Sequence, residues 1–126
     1  MGRHTLTADV PAGMGGRDRA PIPSQFFVAS LGSCIGAFVL QYCEQHKIND
    51  EGMWIEISYD RADDPTRLVN LKASVMLPNA DCGRHLVVSE SILKYCPVYA
   101  TIRTMQSLEV ELLGKGLCDL APESSE

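Results

Sequence analysis

One long stretch, from Ser24 to His46, has the residue pattern of a single helix that is apolar over most of its surface. Apolar side chains recur every three or four residues, at Phe27, Leu31, Cys34, Phe38 and Tyr42. Small residues are interspersed among them, at Ala29, Gly32, Ser33, Gly36 and Ala37. Small residues let another element approach the helix backbone closely, so the pattern predicts a buried helix at the centre of the fold.

Outside this helix, alternation and turn residues predict the remaining elements. Strands are predicted at His4–Val10, Trp54–Asp60, Leu68–Leu77 and Leu108–Leu112. Residues 11–23 are rich in glycine and proline and predict a loop, and residues 62–66 predict the turn of an antiparallel hairpin. Asp81 can cap a helix to about Tyr95, and Pro97 suits the first turn of a helix to about Met105. The order β, α, β, β, α, α, β indicates an α+β domain built on an antiparallel sheet.

Composition favours one globular domain over residues 1–126, with residues 115–126 as a loose acidic tail. The net charge of -5 and the scattered basic residues argue against nucleic acid as a partner. The first residues do not resemble a signal peptide, and the apolar stretch at residues 26–40 is interpreted as too short to span a membrane. We therefore expect a cytoplasmic protein without a membrane partner.

Five cysteines are present, without the CxxC pairs of a zinc site, and the three histidines show no metal-ligand spacing. No metal or other cofactor is therefore expected. Cys43 follows Cys34 by nine residues and should lie on the opposite face of the helix. Cys82 and Cys118 are interpreted as incidental. In a reducing compartment these cysteines should mostly remain thiols.

Cys34 and Cys96 leave two interpretations open. Cys34 lies about ten residues into its helix, too far from the N-terminus to benefit from the helix dipole, so a reactive Cys34 thiolate would need a partner such as an arginine. Cys96 precedes Pro97 and could lie at a helix N-terminus, which favours a thiolate. Alternatively, both are small buried apolar residues without chemistry.

Two motifs in this sequence resemble those of the OsmC/Ohr family of thiol-dependent peroxidases. They are PIPSQFFVASLGSC at residues 21–34 and YCPV at residues 95–98, and the resemblance extends from about His4 to Gly114. It implies an α+β fold with a long buried central helix, in an intertwined homodimer whose sites lie at the subunit interface. It also implies that Cys34 is the peroxidatic cysteine, which a peroxide oxidises to a sulfenic acid. Cys96 would then be the resolving cysteine, which forms a disulfide that a dithiol reductant reopens.

The sequence departs from the family pattern at the start of the central helix and at the N-terminus. At the start of the central helix, active members carry a glutamate that orients an arginine beside the first thiolate, whereas this chain has Gln25. Arg17 and Arg19 are the candidate arginines, with Arg3 as a further possibility. The first family strand has no counterpart before His4. The alternative function is therefore a non-catalytic dimer that binds a small apolar or thiol ligand at the interface, or a redox sensor that uses the same dithiol.

Overall fold

The computed structural model describes residues 2–81, 95–105 and 108–110, together with the backbone of residues 112–114 and 116–118. Its elements are, in chain order, a 3-10 helix at Ala12–Met14, α1 (Pro23–His46), β1 (Trp54–Ala62), β2 (Arg67–Met76), α2 (Pro97–Thr104), β3 (Leu112–Gly114) and β4 (Gly116–Cys118). The strands form two antiparallel pairs, β1 with β2 and β3 with β4. The predicted α+β class is confirmed. Residues 82–94 of the predicted helix from Asp81 to Tyr95 lie outside the described residues.

The long helix α1 follows the prediction closely and starts one residue earlier, at Pro23. Proline suits this position because the N–H that it lacks would have no hydrogen-bond partner in the first turn of a helix. The Gln25 side chain turns back and accepts a hydrogen bond from the Ile22 N–H at 3.0 Å. The helix ends at His46 and is capped by Lys47, which has a left-handed backbone (φ 54°) and donates its N–H to the Cys43 carbonyl.

The hairpin of β1 and β2 covers one side of α1. The strands pair from Trp54 opposite Met76 to Ala62 opposite Arg67, and the turn contains a cis peptide bond before Pro65. One extra residue of β2 is accommodated near Asn70, which has a left-handed backbone (φ 56°). This bulge interrupts the single apolar face that strict alternation from Leu68 to Leu77 predicts.

The core forms where α1 meets this hairpin and α2. Ile55 and Ile57 of β1 lie over Gly36 and Gly32 of α1. A Cβ atom at either glycine would lie 3.2 to 3.4 Å from the nearest isoleucine side-chain atom. The fully or nearly fully buried apolar residues are Leu31, Ile35, Val39, Cys43, Ile48, Leu77 and Cys96. Burying a large aliphatic side chain stabilises a fold by about 1.5–3 kcal/mol. The predicted central position of α1 is therefore where the described residues gain most of their packing energy.

The N-terminal strand predicted at His4–Val10 is wrong, because these residues pair with no strand in the described part of the chain. The segment is instead tied to the following loop by Asp9. Its carboxylate accepts hydrogen bonds from the backbone N–H groups of Val10, Arg17 and Arg19 at 2.8 to 3.4 Å. The Asp9 N–H itself donates to the Pro21 carbonyl.

The last predicted strand, Leu108–Leu112, is displaced toward the C-terminus. Residues 108–110 are not a strand, whereas β3 begins at Leu112 and pairs with β4 across Gly114 and Gly116. Within the segment 115–126, predicted to be a loose tail, Gly116–Cys118 is paired in β4. Residues 119–126 lie outside the described residues.

The length argument against a membrane span also needs correction. α1 has 24 residues and is long and apolar enough, by length and composition alone, to cross a bilayer. The apolar stretch at residues 26–40 is only part of α1, which extends for about 36 Å at 1.5 Å per residue. The core helix of a globular domain meets the same criterion, and the buried stripe of α1 packs against β1 and α2.

Candidate active site

Cys34 lies on the stripe of α1 that faces the core. It is three residues after Leu31 and one before Ile35, both of which are buried, and its own side chain is partly exposed. Its sulfur therefore belongs to the core surface and keeps some access from outside the chain. That combination suits a thiol that must meet a small molecule.

Cys96 occupies the N-cap position of α2, directly before Pro97. Its sulfur accepts a hydrogen bond from the Tyr99 N–H at 3.5 Å, which is the side-chain role that an N-cap residue normally plays. The residue is only 1% exposed. The Cys-Pro motif thus starts a helix and at the same time buries a thiol at its N-terminus.

The structure brings the two cysteines together although they are 62 residues apart in the sequence. The Cys96 S–H donates to the Cys34 sulfur, with the two Sγ atoms 3.2 Å apart, and both residues are free thiols. A disulfide bond is about 2.05 Å long, so the sulfurs need to approach by only about 1 Å to be joined. The pair can therefore pass between a dithiol and a disulfide with a small movement of α2 against α1.

Burial is the main influence on the Cys96 thiol, and it raises the pKa because it disfavours the charged thiolate. The Tyr99 N–H acts in the opposite direction and lowers the pKa, whereas the hydrogen bond and charge of Cys34 raise it further. The net effect is a raised pKa. Cys96 therefore retains its proton more strongly than an ordinary cysteine does.

The residues predicted to support Cys34 have other roles in the described structure. Gln25 caps α1 through the Ile22 N–H, so its side-chain oxygen is already engaged. Arg17 and Arg19 contact Asp9 through their backbone N–H groups. Among the described residues, no guanidinium group of either arginine, or of Arg3, donates to the Cys34 sulfur.

One contributor to this site was not singled out by the sequence analysis, namely the Tyr99 N–H. Its role was detectable because Cys96-Pro97 has the form of an N-cap followed by proline. Asp9 organises the loop before α1, at a position where the alternation of residues 4–10 indicated a strand.

Cys43 lies apart from the pair, at a fully buried position of α1. Burial, with a smaller contribution from the charge of Asp50, raises the pKa of its thiol. Within residues 2–81 and 95–105 it makes no hydrogen bond to either active-site sulfur. No cluster of three or more metal-ligating side chains occurs among the described residues.

Comparisons with known proteins identify a family and similar folds. A family model described as OsmC-like protein matches residues 15–111. No curated protein sequence gives a significant match. One similar crystal structure is that of an osmotic stress induced and detoxification response protein from Psychrobacter arcticus 273-4, with a TM-score of 0.64 and 22% identity over 75% of this chain and 69% of that chain.

A second similar structure is that of an organic hydroperoxide resistance protein OsmC from Legionella pneumophila. It has a TM-score of 0.54 and 21% identity over 82% of this chain and 77% of that chain. At this level of identity the two structures support the fold, and the family model covers well over half of the sequence. The chain therefore belongs to the family of OsmC-like proteins.

Proposed function

We propose that this protein is a thiol peroxidase that reduces organic hydroperoxides or hydrogen peroxide through a Cys34–Cys96 dithiol–disulfide cycle. The observation that carries the proposal is the 3.2 Å separation of the two sulfurs. The partial exposure of Cys34 supports its role as the attacking thiol. The burial of Cys96 beside it supports a role as the resolving thiol.

In the first step the Cys34 thiolate attacks one oxygen of the peroxide. An S–O bond forms, the O–O bond breaks, and the leaving alkoxide or hydroxide takes up a proton to become an alcohol or water. The sulfur loses two electrons and becomes a sulfenic acid, while the peroxide is reduced. The reaction needs no metal or organic cofactor because both electrons come from the sulfur.

In the second step the Cys96 thiolate attacks the sulfenic sulfur of Cys34. The S–O bond breaks, the departing hydroxide is protonated to water, and the Cys34–Cys96 disulfide forms. A dithiol reductant then exchanges with this disulfide, which restores both thiols and leaves the reductant oxidised. The close approach of the sulfurs favours this condensation over further oxidation of Cys34.

We also propose that two copies associate, as the family resemblance implies, in the cytoplasm. The described part of the chain supports this in two ways. The β1–β2 sheet has only two strands, and a large fraction of several apolar side chains is exposed, including Trp54 (51%) and Phe27 (43%). Light scattering during size-exclusion chromatography should give twice the mass of one chain, and a monomer at micromolar concentration would contradict the association.

Steady-state turnover tests the peroxidase proposal. Purified protein should catalyse the consumption of cumene hydroperoxide with dithiothreitol or dihydrolipoamide as the reductant, and the same assay with hydrogen peroxide measures the preference between peroxides. The name of the Legionella relative, which refers to organic hydroperoxide resistance, makes the organic substrate the first choice. Cys34→Ser should remove turnover, and wild-type rates no higher than those of this variant would refute the proposal.

A second candidate is a non-catalytic dimer that binds a small apolar or thiol ligand, or senses oxidants, at the same site. The specific observation in its favour is that Gln25 caps α1 and no described guanidinium donates to Cys34. In a non-catalytic binder, Cys34 would react with one equivalent of peroxide no faster than free cysteine, so the turnover assay separates the binder from the peroxidase. A sensor would form the same disulfide and would differ from the peroxidase only in lacking a dithiol partner that recycles it.

A further inference from the structure

The Cys34 sulfur accepts one hydrogen bond in the described part of the chain, from the Cys96 thiol at 3.2 Å. Thiolates react with peroxides and thiols do not, so a negative charge on Cys34 must be stabilised by some neighbour. Cys34 lies too far from the N-terminus of α1 for the helix dipole to act strongly on its sulfur. The neighbour that the geometry does provide is another thiol.

We propose that Cys96 is a positioning residue for the first chemical step: its S–H donates to the Cys34 sulfur and stabilises the Cys34 thiolate before Cys96 acts as the resolving thiol. This inference rests on the proposed function, because it concerns the first step of that cycle. It assigns to one buried residue two successive tasks, hydrogen-bond donor and then nucleophile.

The surroundings of Cys96 suit a donor. Its burial raises the pKa of the thiol, so the proton stays on Cys96 when Cys34 ionises. The Tyr99 N–H occupies an acceptor position on the Cys96 sulfur at 3.5 Å, which helps to fix that sulfur beside Cys34. A hydrogen bond to a charged acceptor is stronger than one between neutral groups, so ionisation of Cys34 strengthens the contact.

Other ionisable groups on the packed elements do not replace this donor. They are Tyr42, Cys43, Glu44 and His46 on α1, Glu56, Tyr59, Asp60 and Arg61 on β1, Arg67 and Lys72 on β2, and Tyr99 and Arg103 on α2. Among the described residues none of these side chains has a hydrogen bond to the Cys34 sulfur. On β1, Glu56 lies between Ile55 and Ile57, the residues that lie over α1, and so belongs to the opposite face of the strand.

The same contact explains how Cys96 becomes available for the second step. When Cys34 attacks the peroxide, its negative charge leaves with the alkoxide, which is protonated to the alcohol. The charge of Cys34 is one of the influences that raise the pKa of Cys96. Its removal therefore lets Cys96 ionise more readily, at the moment when its thiolate is needed to attack the sulfenic sulfur.

The test compares Cys96→Ser with Cys96→Ala in the full-length reduced protein. Both variants lack the resolving sulfur, but serine retains a hydrogen-bond donor and alanine does not. The rate at which iodoacetamide alkylates Cys34 is measured against pH, with the Cys34 peptide quantified by mass spectrometry. Because this readout reports the thiolate fraction without peroxide, it is independent of whether the protein turns over peroxides.

We expect the pH midpoint for Cys34 alkylation in Cys96→Ala to lie about one unit above that of the wild type, and that in Cys96→Ser to lie at or below it. At a pH below both midpoints, Cys96→Ala should alkylate and form Cys34 sulfenic acid about tenfold more slowly. Equal midpoints in all three proteins would overturn the inference, since Cys96 would then act only as a resolving thiol.

Serine preserves the N-cap of α2, whereas alanine removes it. Circular dichroism is therefore used to check that Cys96→Ala is folded. If Cys96→Ala is unfolded, Cys96→Gly takes its place, because glycine also lacks a side-chain donor and is tolerated at an N-cap. A midpoint in Cys96→Ser that rises by about one unit, in spite of its hydroxyl donor, would also overturn the inference. Failure of the proposed function has a different signature, namely a wild-type protein that shows the expected midpoints but does not consume peroxide.

Discussion

At the scale of single residues, the side chains of Cys96 and Asp9 each take part in two or more hydrogen bonds. The Cys96 sulfur accepts from the Tyr99 N–H and donates to Cys34. The Asp9 carboxylate accepts from three backbone N–H groups, at Val10, Arg17 and Arg19. The sequence indicated that Cys96 precedes a helix, but a contact with a residue 62 positions away depends on how α2 packs against α1.

Asp9 gives a prediction with a definite dependence on pH. The hydrogen bonds that its carboxylate accepts, first from the Arg19 N–H and then from the Val10 N–H, lower its pKa below the usual value. A lowered folded-state pKa means that the ionised carboxylate stabilises the loop above the unfolded-state pKa. This stabilisation is lost as the pH falls through the folded-state value.

We therefore expect the amide protons of Arg17 and Arg19 to lose hydrogen-exchange protection when the solution is made acidic. Asp9→Asn should show reduced protection already at neutral pH, because the amide carries no negative charge. Exchange followed by nuclear magnetic resonance measures both effects. Lys47, whose N–H is bonded at the end of α1, is the internal control. Protection at Arg17 and Arg19 that is unaffected in Asp9→Asn would contradict the role given to the carboxylate.

At the scale of elements, long periodic patterns were predictable and isolated short ones were not. The 3.6-residue period of α1 persists over many turns, and the hairpin of β1 and β2 has alternation on both sides of a turn. By contrast, residues 4–10 alternate but pair with no strand in the described chain, and Asp9 near their end accepts hydrogen bonds from the following loop. The last strand was misplaced because Leu108–Leu112 alternates, whereas the observed strand β3, Leu112–Gly114, does not.

The contact between α1 and β1 gives a prediction about packing. A side chain at Gly36 would begin 3.2 Å from the Ile55 Cδ1 atom, which is closer than ordinary contact. Gly36→Val should therefore lower the free energy of unfolding by about 1–3 kcal/mol through overpacking. Ala29→Val is the matched control, since it introduces the same branched residue at an exposed position of α1. Urea denaturation measures both, and equal effects would argue against the close approach of the elements.

At the scale of the whole molecule, the two sulfurs connect distant parts of the chain. A Cys34–Cys96 disulfide would close a loop of 62 residues around the hairpin. Restriction of the unfolded chain by such a loop stabilises the folded state by up to about 4 kcal/mol. Oxidation by one equivalent of peroxide should therefore raise the urea midpoint of the wild type and leave that of Cys96→Ser nearly unchanged. A wild-type midpoint that does not rise would indicate that the disulfide strains the fold.

The fold class was within reach of the sequence because it depends on patterns that extend over most of the chain, whereas the pairing of Cys34 with Cys96 was implied only by the resemblance to the family. The stabilisation of Cys34 was not within reach, because it depends on which groups lie within a few ångströms of one sulfur. Sequence comparison with the family led to Gln25 and the arginines, whereas in the structure Gln25 serves as a helix cap. The group in contact with the Cys34 sulfur is the Cys96 thiol.

The most direct test of the account is to mix the fully reduced protein with one equivalent of cumene hydroperoxide in a stopped-flow instrument and to identify the product by peptide mass spectrometry. We predict that Cys34 is oxidised much faster than free cysteine at the same pH, and that the product is a peptide pair joined through Cys34 and Cys96. Oxidation at the rate of free cysteine, with no Cys34–Cys96 bond, would contradict the account.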